Sequence, residues 1–183
     1  MAPMAHPHSI KLRLRDMSQL FNSMDPSPFI ERDLDDNAEE FIVGWAQELP
    51  AGEPWTLRVY LEHWPAEDPT DVIRHAVHHY FDYRADLTRL ELRCLLKQGR
   101  TSLVIGLAFL ATCFVIISFL PPLRAGAWTG ILQESLTIAG WVAMWRPMQI
   151  YLYDWWPVRR KRQIYARLSR MSVEVRAVEK PAQ

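Results

Sequence analysis

Apolar and polar positions change their spacing several times along the chain, and each change predicts an element. From Ser9 to Arg15 (SIKLRLR) they alternate, with Ile10, Leu12 and Leu14 on one face and Lys11, Arg13 and Arg15 on the other. That period of two predicts a half-buried strand. The stretch QLFNSMDPSPF follows, and its Asp25-Pro26 step predicts a turn. Between Asp33 and Leu49 the period lengthens to three or four, with Leu34, Ala38, Phe41, Ile42, Trp45 and Leu49 as the apolar stripe of a helix. Asp33, Asp35, Asp36, Glu39 and Glu40 crowd its first turns, where the helix dipole favours acids, and Pro50 and Gly52 end it. Alternation returns over Trp55–Glu62, with Leu57, Val59 and Leu61 inward. It returns once more over Ser172–Val178, with Val173, Val175 and Ala177 inward, as a candidate third strand over 172–178.

A second helix starts at Asp68-Pro69-Thr70 and meets no strong breaker before Pro121, so it is expected to feed directly into a membrane span. Its first part presents Val72, Ile73, Ala76, Val77, Tyr80, Phe81, Leu87 and Leu90. Ser102–Leu120 (SLVIGLAFLATCFVIISFL) is then uncharged over nineteen residues, which at ~1.5 Å per residue nearly matches a hydrocarbon core of ~30 Å. After PPLRAGA, the run WTGILQESLTIAGWVAMW provides a weaker second span, interrupted by Gln133 and Glu134. The short connection favours an antiparallel pair. Basic residues flank the pair on one side: Arg84, Arg89, Arg93, Lys97 and Arg100 before it, Arg159, Arg160, Lys161, Arg162, Arg167 and Arg170 after it. The connection holds only Arg124. The positive-inside bias then places both ends in the cytoplasm.

The expected fold class is an α+β membrane protein, in which a small cytoplasmic β-α-β-like domain carries a two-helix transmembrane hairpin ahead of its third strand. The expected order is an acidic domain over 1–92, a juxtamembrane helix over 93–101, spans over 102–120 and 128–147 joined by a periplasmic loop over 121–127, an interfacial aromatic segment over 148–158, and a basic cytoplasmic tail over 159–183. Trp145, Tyr151, Tyr153, Trp155 and Trp156, with Arg159 and Arg160, are expected as anchors at the headgroup layer. Pro147 is expected to kink the second span and lay the following segment along the membrane surface. Ser135, Ala139 and Ala143, and likewise Ser102 and Gly106, recur at four-residue intervals suited to close helix packing in lipid.

Charge sharpens this layout. The formal net charge is zero, but Met1–Leu92 holds 8 basic and 17 acidic residues and Arg93–Gln183 holds 13 basic and 4 acidic ones. An acidic domain ahead of an apolar centre with basic flanks suits an anchor meeting anionic lipid, and argues against a nucleic-acid partner. Cys94 and Cys113 lie nineteen residues apart on one expected helix, about 28 Å, too far for a disulfide. The first thirty residues contain no apolar core of signal-peptide length, so the N-terminus is expected in the cytosol.

Candidate chemistry is sparse. Glu134, beside Gln133, is the ionisable residue most exposed to the cost of the bilayer. It invites either a structural bond to Ser118 or Thr137 or a place in an ion pathway. Arg146 is expected to snorkel toward water. His75 and His79 stand i, i+4 on the second helix with Asp82 nearby, a weak metal constellation in the run HAVHHYFDYRAD. The run DLDDN resembles the opening of a calcium loop, but Ala38 and Gly44 stand where the loop needs Gly and Glu, so a helix N-terminus is the better reading. No P-loop, dinucleotide fingerprint, nucleophile elbow or CxxC pair occurs. No catalytic residue and no cofactor is expected.

The strings QLFNSMDPSPF and GWVAMWRPMQIYLYDWWPVRR, with the hairpin between basic flanks, resemble a group of small, uncharacterised bacterial inner-membrane proteins with two transmembrane helices. The resemblance implies a multi-pass topology in a bacterial cytoplasmic membrane and implies no activity. The expected function is a membrane-anchored interaction or assembly module whose partner is another protein or a second copy of the chain. The alternative is an oligomeric channel or transporter accessory subunit that uses Glu134.

Overall fold

The computed structural model describes residues 8–22, 28, 32–50, 54–119 and 127–178. The chain divides into two compact units, one formed by residues 1–87 and 161–183 and the other by residues 88–160. In order, its elements are β1 (His8–Leu14), a 3-10 turn (Met17–Leu20), α1 (Asp36–Glu48), β2 (Trp55–Leu61), α2 (Thr70–Phe119), α3 (Ala127–Ala143), α4 (Trp145–Gln149), a π-helical turn (Ile150–Asp154), α5 (Trp155–Leu168) and β3 (Ser172–Ala177).

The first unit is a mixed α/β domain built on a three-stranded, all-parallel sheet in the order β1-β2-β3. Ile10, Leu57 and Val173 align across it, as do Leu12, Val59 and Val175. These residues form the inner face, and they join Leu34, Ile42, Ile73, Val77, Phe81 and Leu168 in one core. Parallel neighbours need crossovers, and right-handed crossovers in a sheet that advances steadily from β1 to β3 place the helices on a single side. The third strand relieves a two-stranded sheet of its marginality, and it arrives by a crossover that contains the whole second unit.

Asp35 caps α1, its side chain accepting from the Asn37 N–H at 3.0 Å, so the DLDDN run is indeed a helix start. The buried stripe of α1 differs from the expected one. Ala38, Glu39, Ile42 and Ala46 face the core, while Phe41 and Trp45 are 41% and 49% exposed. The stripe is turned so that an acid points inward and two aromatics point out. The Asp25-Pro26 turn and Gly52 lie outside the described residues.

The second unit contains the end of α2, α3, α4, the π-helical turn and the start of α5. Its helices lie antiparallel. Gly99 meets Ile150 and Tyr151, Gly106 meets Ala143 and Met144, and Gly140 meets Leu110 and Cys113. Gly106 and Ala143 come from the expected small-residue stripes, whereas Gly140 was not among them. The loop 121–127 falls almost entirely on residues 120–126, outside the described ones.

The C-terminal side carries more regular structure than expected. Pro147 removes the N–H that would bond the Ala143 carbonyl, and the helix breaks at Met144, whose N–H turns to Trp141 O at 3.0 Å. Beyond that break the chain does not swing away from α2: helix resumes, and Ile150 and Tyr151 pack on Gly99. An extra residue per turn over Ile150–Asp154 keeps the helix going. Residues 159–183 are likewise no simple basic tail, because α5 runs to Leu168 and buries Ile164, Tyr165 and Leu168 in the first unit.

Candidate functional site

Three arrangements in the structure have chemical character beyond packing, and the most elaborate sits inside the first unit. Glu39, 8% exposed on the inner side of α1, accepts hydrogen bonds from Tyr80 and Arg84 of α2 and from Tyr165 of α5. The Arg84 guanidinium donates to both carboxylate oxygens, through Nη2 at 2.7 and 2.8 Å and through Nε at 3.0 Å. It also lies 5.8 and 5.7 Å from the ring centres of Tyr80 and Tyr165. Burial by itself would raise the Glu39 carboxyl, but the bonds from Tyr80, Arg84 and Tyr165 outweigh it and hold the pKa below the ordinary carboxylate value. Burial and the bond to Glu39 push Tyr165 up to about 12 and raise Tyr80 still further. Burial lowers Arg84, and the bond to Glu39 more than reverses this.

Such a node is saturated. One carboxylate receives two phenols and a forked guanidinium, so it is in no position to exchange a proton with a substrate. Its chemistry is that of a clamp joining α1, α2 and α5. The sequence hides this role, because Glu39 also fits the run of acids that the dipole favours at the start of α1. The signal was present, since Glu39, Ile42 and Ala46 share a face at i, i+3 and i+7.

The second arrangement is the outer side of α1. Phe41 and Trp45 stand one turn apart with ring centres at 6.2 Å, and with Asn37, Glu40, Gly44 and Glu48 they line an open groove of about 510 Å³. The third is the surface of the second unit. Val104, Ile105, Phe119, Trp128, Trp141 and Val142 are each more than 60% exposed, and α2 carries an apolar window of mean hydropathy 2.5. By length and composition it is one helix able to cross a membrane.

The residues singled out from sequence fall as follows. His75, His79 and Asp82 are all exposed, and no group of three metal-ligating side chains forms among the described residues. His78, between them, instead bonds the Met171 carbonyl at 2.8 Å and ties α2 to the approach of β3. Glu134 is exposed and Gln133 half-buried on α3. The hydroxyls expected to meet Glu134 bond to their own helices, Ser118 to Val115 O and Thr137 to Gln133 O. Arg146 faces Asp154 and Gln149, each at 3.4 Å.

The chain matches no family model, no curated protein and no solved structure.

The aromatic residues near the end of the second unit form a group of their own. Trp145, Tyr153 and Trp156 are 65–71% exposed, while Trp155 donates its indole N–H to Tyr151 O at 2.7 Å and stacks edge-on with Trp156 at 5.7 Å. The Arg159 guanidinium lies 5.6 Å from the Trp155 ring. Trp145, Met148, Gln149, Leu152 and Tyr153 line a shallow groove of about 300 Å³. Rings with one apolar body and one polar edge, beside cations, suit a layer where hydrocarbon gives way to water.

Proposed function

We propose that the protein is a membrane-anchored interaction module. In this reading, the helices of the second unit cross a bacterial cytoplasmic membrane twice, and the α/β unit sits in the cytoplasm, where it docks a protein partner. The observation that carries the anchor is the exposure of large apolar side chains along α2 and α3, on a helix pair whose close contacts are already made through glycine. Such a surface exceeds what a water-exposed protein tolerates. The basic residues before α2's apolar stretch and after α3 support a common side for both ends. The closed core and saturated node of the first unit support docking over catalysis.

A membrane fraction washed with alkaline carbonate should retain the chain until detergent is added. Reporters fused at residue 1 or residue 183 should read as cytoplasmic, and a reporter inserted at 124 as periplasmic. Release without detergent, or an exported C-terminal reporter, overturns the anchor.

A second reading, an oligomeric channel or transporter accessory subunit, has one observation in its favour. The Glu134 side chain is exposed on α3 near Ile131, Leu132 and Ile138, which are themselves more than half exposed. A carboxylate in an apolar belt calls for a neighbour. In proteoliposomes, ion flux that depends on the protein and is lost in Glu134→Gln supports this reading; flux unchanged by the substitution removes it.

A further inference from the structure

Among the described residues of this unit, the helices that share the core all pack on the inner face of the sheet. The opposite face is built from the alternate residues of each strand. Register aligns Lys11, Arg58 and Glu174 across that face, then Arg13, Tyr60 and Arg176. Lys11, Arg13 and Arg176 are exposed, and Arg58 and Tyr60 are half-buried. Glu174 bonds Arg58 at 3.2 Å and Arg176 at 3.0 Å. One carboxylate thus faces four cations. Parallel sheets are ordinarily covered on both faces, so this one invites a cover, and its charge says the cover is acidic.

The unit carries such a surface on its other side. The groove on α1 presents Phe41 and Trp45 flanked by Glu40 and Glu48, with Asp36 exposed at the same helix start. Arginine recognises this combination in two ways: its charge pairs with the carboxylates, and its flat guanidinium lies over aromatic rings. The aromatics are too exposed to serve the core, and Gly44 between them leaves the groove floor open, with nothing within 4 Å of where its Cβ would stand. We infer that the α/β units of two copies stack head to tail, the aromatic and acidic groove of α1 on one copy covering the basic sheet face of the next. This rests on the docking reading above and names its partner as a second copy. Because the two surfaces are different and lie on opposite sides of the unit, the contact is heterologous and repeats into chains of copies.

The test uses the purified full-length chain in a non-ionic detergent. Cys94 and Cys113 are replaced by Ser, and single cysteines are placed at Gly44→Cys in the groove or Ser172→Cys on the sheet face, positions that remove no charge. Mixed in equal amounts and treated with a short thiol cross-linker, the two proteins should yield the mixed dimer in preference to either like pair. Adding Lys11→Glu and Arg13→Glu to the Ser172→Cys protein should lower that yield roughly tenfold, as two attractions become repulsions. Adding Glu40→Lys and Glu48→Lys to the Gly44→Cys partner should then restore it, which misfolding would not allow. Like pairs in excess, or a mixed product indifferent to these reversals, overturns head-to-tail stacking. If no cross-link forms but the chain still retains another membrane protein, stacking falls while docking stands. If neither occurs, both fall.

Discussion

Replacing Glu39 with Ala is expected to lower the stability of the α/β unit by about 3 kcal/mol, the lower part of the range for breaking a buried charged pair, since Arg84 keeps a third of its side chain in water. The substitution removes one acceptor and leaves three donors, from Tyr80, Arg84 and Tyr165, facing each other in the core. Glu39→Gln should cost less, because an amide still accepts through one oxygen. Single removals of either phenol, Tyr80→Phe or Tyr165→Phe, should cost about 1 kcal/mol each, a net hydrogen bond. Thermal or denaturant unfolding, followed by near-ultraviolet signal from the Tyr80, Phe81 and Tyr165 cluster, reads all four. A loss below about 0.5 kcal/mol for Glu39→Ala would show that water enters and that the clamp is not closed.

The same node fixes how stability depends on pH. The Glu39 carboxyl is held below its ordinary value, so its contribution is complete above the unfolded pKa near 4.5 and is lost as pH falls through the folded value. The two phenols are raised, so their contribution is complete below the unfolded value of 10.0. It fades as pH climbs toward the folded value of about 12 for Tyr165. Glu39→Gln should flatten the acid limb and leave the alkaline one softened but present, because burial of the phenols persists.

Much of this architecture is legible in the sequence. Alternation at period two locates all three strands, while their order and parallel sense come from the contacts between them. The unbroken run from Thr70 to Phe119 was legible because no proline interrupts it. What escaped was the phase of α1. The apolar stripe includes Phe41 and Trp45 and leaves Glu39 to the helix dipole, whereas the helix turns Glu39 inward and the two aromatics out. Apolar count does not settle which side of a helix is buried when Ala38, Ile42 and Ala46 compete with two aromatics for the inner stripe. Contacts settle it, and the partners that hold Glu39 lie 41 and 126 residues away in sequence. The basic run after Trp156 misled in a similar way. Its charge suggests a basic tail that meets anionic lipid, but Ile164, Tyr165 and Leu168 at i, i+1 and i+4 form an inner stripe between the cations.

The helix pair of the second unit is expected to tolerate substitution very unevenly at its glycines. A methyl group placed on Gly106 would stand 3.0 Å from the Ala143 carbonyl oxygen and 3.1 Å from the Met144 sulfur. That carbonyl is the one that Pro147, lacking an N–H, cannot bond, so Gly106 meets the opposing helix at its break. Backbone cannot rotate aside, so Gly106→Ala must push the helices apart. A methyl on Gly140 meets the Leu110 methyl at 2.6 Å, a shorter distance but to the end of a side chain that has other rotamers. Gly106→Ala is therefore expected to destabilise the pair by about 1–3 kcal/mol, and Gly140→Ala by under about 1 kcal/mol despite its tighter initial contact. Thermal melting in mild detergent, with a tryptophan signal from Trp141 and Trp145, distinguishes the two. If Gly140→Ala proves the more damaging, the Leu110 side chain is locked and the close approach at Ala143 is not what holds the pair.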